Sequence, residues 1–274
     1  MALLKIYTIL NCTYFYCRRR SFEWNVLSKK MSTPRLRPAI VAFDGKLYIF
    51  GGFTEGQSAA GTSEILDTAE CFDLATRKWA MLSPMDTPTQ GARAFAYEGK
   101  IYILGGSASR RRGGSASRQV LTFDPASETY EVVTEIPEPV VDFGIVVVGS
   151  VVYLIGGCKD YELADSFLGF DLRQRTWLES LPPLNCARKS CACFYDGRTI
   201  WAVGGHDPVK LKYVNSVERL DIDNGEWSWD KVENFPFGAA LDAVQCPMPT
   251  SNLAFRYPKL HIHFGYPTKT NGVY

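Results

Sequence analysis

Four short apolar runs, Leu47–Phe50, Ile101–Leu104, Val151–Ile155 and Ile200–Val203, each follow a polar turn containing glycine and each end in a pair of glycines. Runs of four or five consecutive apolar residues are too short for a buried helix and suit strands covered on both faces. The preceding turns, Gly45-Lys46, Gly99-Lys100, Gly149-Ser150 and Gly197-Arg198, supply the positive φ that tight hairpins need. Ala39–Phe43 and its counterparts are therefore predicted to pair antiparallel with the runs that follow them. Further along each unit an acid and an aromatic recur six residues apart: Asp73 and Trp79, Asp124 and Tyr130, Asp171 and Trp177, Asp221 and Trp227. The acid closes a third strand, after Phe72, Phe123, Phe170 or Leu220, and its side chain suits a turn because it accepts bonds from nearby amides. The aromatic opens a fourth strand and can bury about 200 Å² against a neighbouring unit.

These units form an internal repeat. The glycine pairs Gly51-Gly52, Gly105-Gly106, Gly156-Gly157 and Gly204-Gly205 are spaced by 54, 51 and 48 residues, whereas the acid-to-aromatic spacing is constant. Length variation therefore falls in the loops. A period near 50 with four short strands per unit predicts a β-propeller, and the glycine pairs are expected where backbones crowd together.

The pattern closely resembles the kelch repeat: an apolar run, a double glycine, an aromatic followed by aspartate, and a tryptophan at this separation. The resemblance covers residues 35–234 in four repeats, with Tyr130 in place of tryptophan and Leu220 in place of the aromatic before Asp221. It implies an all-β, kelch-type propeller with four complete four-stranded blades and partial blades at the termini, an incomplete or degenerate five- to six-blade ring. Residues 1–34 are expected to supply the outer strands of a partial blade, two of them within residues 5–27. There Trp24 and Met31–Arg35 match the end of one repeat and the start of the next, with Arg18 at the aspartate position. Residues 235–274 are expected to hold another partial blade and a loose tail. In them Gly238–Val244 resembles a first strand, and Lys259–Gly265 resembles Lys46–Gly51 without the second glycine. Either the two ends complete one blade between them or the ring stays open.

Composition narrows the setting. A formal net charge of +1 points to neither nucleic acid nor a membrane surface. Met1–Cys17 is shorter than the roughly 20 apolar residues a bilayer requires, and Lys5 and Asn11 interrupt it. The eight cysteines lack CxxC pairs and regular spacing, which fits reduced thiols in a cytoplasmic protein.

Candidate chemistry is sparse. His206 follows the fourth glycine pair in a loop, but no second histidine accompanies it. His261 and His263 alternate as two metal ligands might, without a carboxylate or thiolate nearby in sequence. Cys191 and Cys193, with Cys186 before them, read as small buried residues. GxSxG, Walker and HExxH patterns are absent. Galactose oxidase, a kelch-type enzyme, uses a copper site that three histidines map onto poorly. No catalytic residue, metal or cofactor is expected.

What remains is a face of loops. Residues 105–118 read GGSASRRRGGSASR, a duplication with period eight that carries Arg110, Arg111, Arg112 and Arg118. Resemblance to BTB-kelch proteins implies that arginines in the turn before a repeat's first strand contact acidic peptide segments. The matching positions are Arg35 and Arg188, while Thr89 and Val140 interrupt the series. The expected partner-binding set is Arg35, Arg188, Arg110, Arg111, Arg112 and His206, with a protein partner, no nucleic acid and no membrane. The resemblance implies a noncatalytic interaction module like the substrate-binding propeller of an adaptor of a cullin-based ubiquitin ligase. An actin-binding or scaffolding kelch protein is the alternative, and a kelch-type enzyme stands behind both.

Overall fold

The computed structural model describes residues 31–54, 63–109, 116–159, 162–207, 212–223 and 227–234, with the backbone of three strands over 6–9, 13–17 and 24–26. All its regular elements are strands. β1 (Ile6–Ile9), β2 (Thr13–Cys17) and β3 (Trp24–Val26) form an antiparallel sheet in that order, three strands where the sequence places two. The first blade follows as β4 (Ala39–Phe43), β5 (Lys46–Phe50), β6 (Ala69–Asp73) and β7 (Lys78–Leu82). The second comprises β8 (Arg93–Tyr97), β9 (Lys100–Leu104), β10 (Gln119–Asp124) and β11 (Thr129–Glu135).

In the third blade, β12 (Gly144–Val148) and β13 (Val151–Ile155) are separated from β16 (Phe167–Asp171) and β17 (Thr176–Trp177) by a ribbon of β14 (Cys158–Lys159) and β15 (Glu162–Leu163). The fourth repeats this plan. It has β18 (Ala192–Tyr195), β19 (Thr199–Val203), a ribbon of β20 (His206–Asp207) and β21 (Lys212–Tyr213), then β22 (Ser216–Asp221) and β23 (Trp229–Asn234). Each blade is an antiparallel four-stranded sheet in sequence order, as a propeller requires. The terminal segments Gly238–Val244 and Lys259–Gly265, with His261 and His263, lie outside the described residues.

The second strands are continuously apolar because both faces are covered. Leu47 and Ile49 pack with Met31 and Phe72 on one side of the first blade. Tyr48 and Phe50, on the other side, meet Ile101 and Phe123 of the second blade. Phe95, Leu104 and Val120 join Phe143 and Phe170 between the second and third blades, and Tyr153 and Phe167 join Ile200 and Trp229 between the third and fourth. The core is thus a series of layers between sheets, each fully buried large side chain contributing about 1.5–3 kcal/mol.

The glycine pairs are the joints between these layers. All eight have positive φ, from +60° at Gly51 to +121° at Gly205. A Cβ on Gly51 would stand 2.2 Å from the carbonyl oxygen of Thr89, and one on Gly156 would stand 2.3 Å from that of Arg188, both in the next blade. The close approach permits the bonds from Gly52 N to Thr89 O (2.7 Å) and from Gly157 N to Arg188 O (2.8 Å).

The aspartates cap their turns as the sequence predicts. Asp73 Oδ1 accepts from Ala75 N and Thr76 N, Asp171 Oδ1 from Arg173 N and Gln174 N, Asp124 Oδ1 from Ala126 N and Asp221 Oδ1 from Asp223 N. In three blades the aromatic sits opposite the residue before the aspartate: Phe72 pairs with Trp79, Phe123 with Tyr130, and Phe170 with Trp177. Tyr130 and Trp177 also reach the preceding blade, donating to Ser83 O and Glu135 O. The fourth blade departs from this. Leu220 pairs with Trp229, so Trp229 and not Trp227 holds the equivalent register. Two more residues separate Asp221 from the paired aromatic, and Trp227 covers Tyr153 and Phe167 of the third blade instead.

Candidate interaction face

Before each first strand, a short segment pairs with the residue after a glycine pair. The bridges are Leu36 with Phe53, Gln90 with Ser107, Val141 with Cys158 and Lys189 with His206. The segments and the post-glycine loops therefore lie on the same side of the blades. At its centre the segments connect in sequence: Gly91 N donates to Arg37 O (2.9 Å), Asp142 N to Gly91 O (3.3 Å) and Ser190 N to Asp142 O (2.7 Å). These four residues stand at one repeat position, and all have positive φ, between +50° and +70°.

Arg35 and Arg188 do not line this face, which corrects the sequence-based assignment. Each guanidinium is fully buried against a fully buried glutamate, Arg35 with Glu70 at 2.6 Å and Arg188 with Glu218. Arg35 Nη1 donates to Gly51 O (3.0 Å) and Thr68 O (2.7 Å), and Arg188 Nη1 donates to Gly204 O (3.0 Å) and Ser216 O (2.8 Å). The glutamates in turn accept backbone amides, Glu70 from Ser32 and Thr33, and Glu218 from Asn185 and Cys186. A guanidinium with its donors met inside the fold has nothing to offer a partner. These arginines lock a repeat's third strand to the segment leading into its first.

Glu70 and Glu218 were not singled out from the sequence, although a signal was present. A glutamate interrupts the third strand in the same two repeats that carry the arginine, and Leu121 and Leu168 replace it where Thr89 and Val140 replace the arginine.

Among the described residues, Arg37 and Lys189 bring cations to these segments. Arg37, 40% exposed, contacts Asp142 at 2.5 Å, and Lys189 approaches the other carboxylate oxygen at 3.6 Å. Gly91 leaves room for this bridge across the centre, since a Cβ there would lie 2.8 Å from Arg37 Nη2. Burial alone would raise the Asp142 carboxyl, but the charge and hydrogen bond of Arg37, with the charges of Arg93 and Lys189, hold it below the usual carboxylate value. A depressed value in the folded state stabilises the fold above the unfolded value of about 4, and that stability is lost as pH falls through the folded value. The unmodified protein should accordingly lose more stability than Asp142→Asn between pH 5 and the acid limit in urea titrations. Parallel acid profiles for the two proteins would contradict this.

His206 lies on β20, half buried, with its ring 5.5 Å from that of Tyr213. Burial, then the charge of Lys189, lowers its pKa and disfavours a positive charge on the imidazole. Arg110, Arg111 and Arg112 lie outside the described residues. Cys191 and Cys193 are buried as expected, their Sγ atoms 3.7 Å apart beneath Gly144, where a Cβ would meet Cys193 Sγ at 2.2 Å. Among the described residues no group of three or more His, Cys, Asp or Glu side chains is placed to hold a metal ion. No described helix is long and apolar enough to cross a membrane.

Comparison with known proteins agrees with this architecture. A family model described as the KLHDC2/KLHL20/DRC7 Kelch-repeats domain matches residues 7–186, and one described as the Kelch motif matches residues 187–228. Kelch-like protein 25 of Xenopus tropicalis is 25% identical over 218 residues, 78% of this chain and 35% of that protein. Kelch-like protein 23 of Homo sapiens is 25% identical over 85% of this chain and 39% of its own length. Alpha-scruin of Limulus polyphemus is 22% identical over 73% of this chain and 22% of its own length. The chain thus spans less than two fifths of these relatives. The solved structure of YjhT superposes with a TM-score of 0.72 at 18% identity, covering 84% of this chain and 80% of that one, a likeness of fold.

Proposed function

The chain belongs to the kelch-repeat family, and from that premise we propose that it is a noncatalytic protein-interaction module whose loop face receives an acidic segment of a partner protein. The observation that carries this reading is Arg37. It stands exposed at the centre of the face, oriented by a buried carboxylate, with Lys189 beside it. A partner carboxylate approaching Arg37 would meet a guanidinium already held in place, which reduces the entropy lost on binding. The similarity to kelch-like proteins supports a cytoplasmic substrate-receiving role of the kind found in adaptors of cullin-based ubiquitin ligases.

Arg37→Ala should reduce recovery of proximity-labelled partners at least severalfold with an unchanged circular dichroism spectrum, while lowering the urea midpoint, because the buried Asp142 carboxylate loses its hydrogen-bonded counter-charge and keeps Lys189 at 3.6 Å. Equal recovery by the two proteins would remove Arg37 from the site. Cosedimentation with filamentous actin that is lost in Arg37→Ala would favour the scaffolding alternative instead.

A further inference from the structure

The four repeats solve one packing problem in two ways, and one of them leaves a space. In the first and fourth, an arginine amino group donates to two carbonyls, of the first glycine of the pair and of the residue two before the buried glutamate. In the second repeat the same backbone is present: Gly105 N donates to Gln119 O at 3.0 Å, as Gly51 N does to Thr68 O at 3.1 Å. The arginine position is Thr89 and the glutamate position is Leu121. A cavity of about 330 Å³ lies there, lined by Thr89, Gly105, Gln119, Leu121, Ile103 and Ala116 among others. Thr89 Oγ1 is buried without a hydrogen-bond partner, and the residue is only 8% exposed. At the mouth, Thr87 is exposed, whereas the amide of its counterpart Thr33 donates to Glu70.

We propose that this cavity is a side-chain socket for a primary amide, the glutamine or asparagine of a partner polypeptide. Its NH2 group would donate to the Gly105 and Gln119 carbonyls as the arginine amino group does in the other repeats, and its oxygen would accept from Thr89 Oγ1. The choice of a neutral donor follows from Leu121. Where a guanidinium fills the site, a buried glutamate balances it, and a cation beside Leu121 would be buried unpaired. An amide satisfies the same carbonyls without a counter-charge, and Leu121, Ile103 and Ala116 take the aliphatic stem. The socket deepens the interaction reading, on which it rests, by naming one partner side chain.

The test uses small probes on the full chain. Isobutyramide should shift the methyl resonances of Leu121 and Ile103 saturably, whereas propylguanidinium should not. Leu121→Glu should reverse that preference. The double variant Thr89→Arg/Leu121→Glu, which installs the pair of the first and fourth repeats, should fold without loss of Tm and bind isobutyramide at least about tenfold more weakly, a difference of 1.4 kcal/mol. Absence of saturable shifts at Leu121 and Ile103, unchanged amide affinity in the double variant, or failure of that variant to fold would each overturn the socket. None of these results bears on partner recovery by Arg37→Ala, so failure of the socket is distinguishable from failure of the interaction reading.

Discussion

Glu218→Ala should destabilise the protein by about 3–5 kcal/mol, because it leaves the fully buried Arg188 guanidinium without its counter-charge. The same change frees the amides of Asn185 and Cys186, which Glu218 accepts. Set against the roughly 5–15 kcal/mol by which domains are stable, this is a large fraction. The paired substitution Arg188→Val/Glu218→Leu should recover most of the loss, since it copies Val140 and Leu168 of the third repeat and removes both charges together. Urea unfolding checks both, with the midpoint falling steeply in the single variant and returning in the double. A double variant no more stable than the single one would show that the arginine contributes through its carbonyl bonds and not as half of an ion pair.

The second large effect is expected at the joints between blades. Gly156→Ala should cost on the order of 3 kcal/mol or prevent folding, because strain from positive φ adds to collision with a backbone atom that no side-chain movement relieves. Gly156 has φ +64°, and a Cβ would meet the Arg188 carbonyl oxygen at 2.3 Å. Gly149 provides the control, with φ +60° and nothing within 4 Å of a Cβ, so alanine there meets strain alone. That cost is about 1–2 kcal/mol. Equal melting temperatures for the two variants would mean that the glycine pair is needed for its conformation only, not for the approach of the next blade.

The fold was legible because its signals are local. Each apolar run, glycine pair and aspartate acts within a few residues of itself, and repetition at a period near 50 separates them from chance. The register of Trp227 was not legible, since the length of the turn after Asp221 decides it and the repeat spacing alone pointed to the wrong tryptophan. The site was misread for a different reason. Arg35 and Arg37 both follow Pro34, and nothing in that stretch says which is buried. The answer lies in Glu70, which is 35 residues from Arg35 and is bonded to it only in the folded sheet. The bridge from Arg37 to Asp142, 105 residues apart, is likewise invisible to local pattern. Comparing the repeats with one another does expose the arginine–glutamate pairing, because both residues are replaced together in the second and third.

Hydrogen–deuterium exchange of the protein alone and with a captured partner tests the interaction face most directly. The account predicts new protection confined to residues 35–37, 89–91, 140–142 and 188–190 and to the post-glycine loops they pair with. Protection instead at the opposite turns, around Gly45, Gly99, Gly149 and Gly197, with the Arg37 segment unchanged, would contradict it.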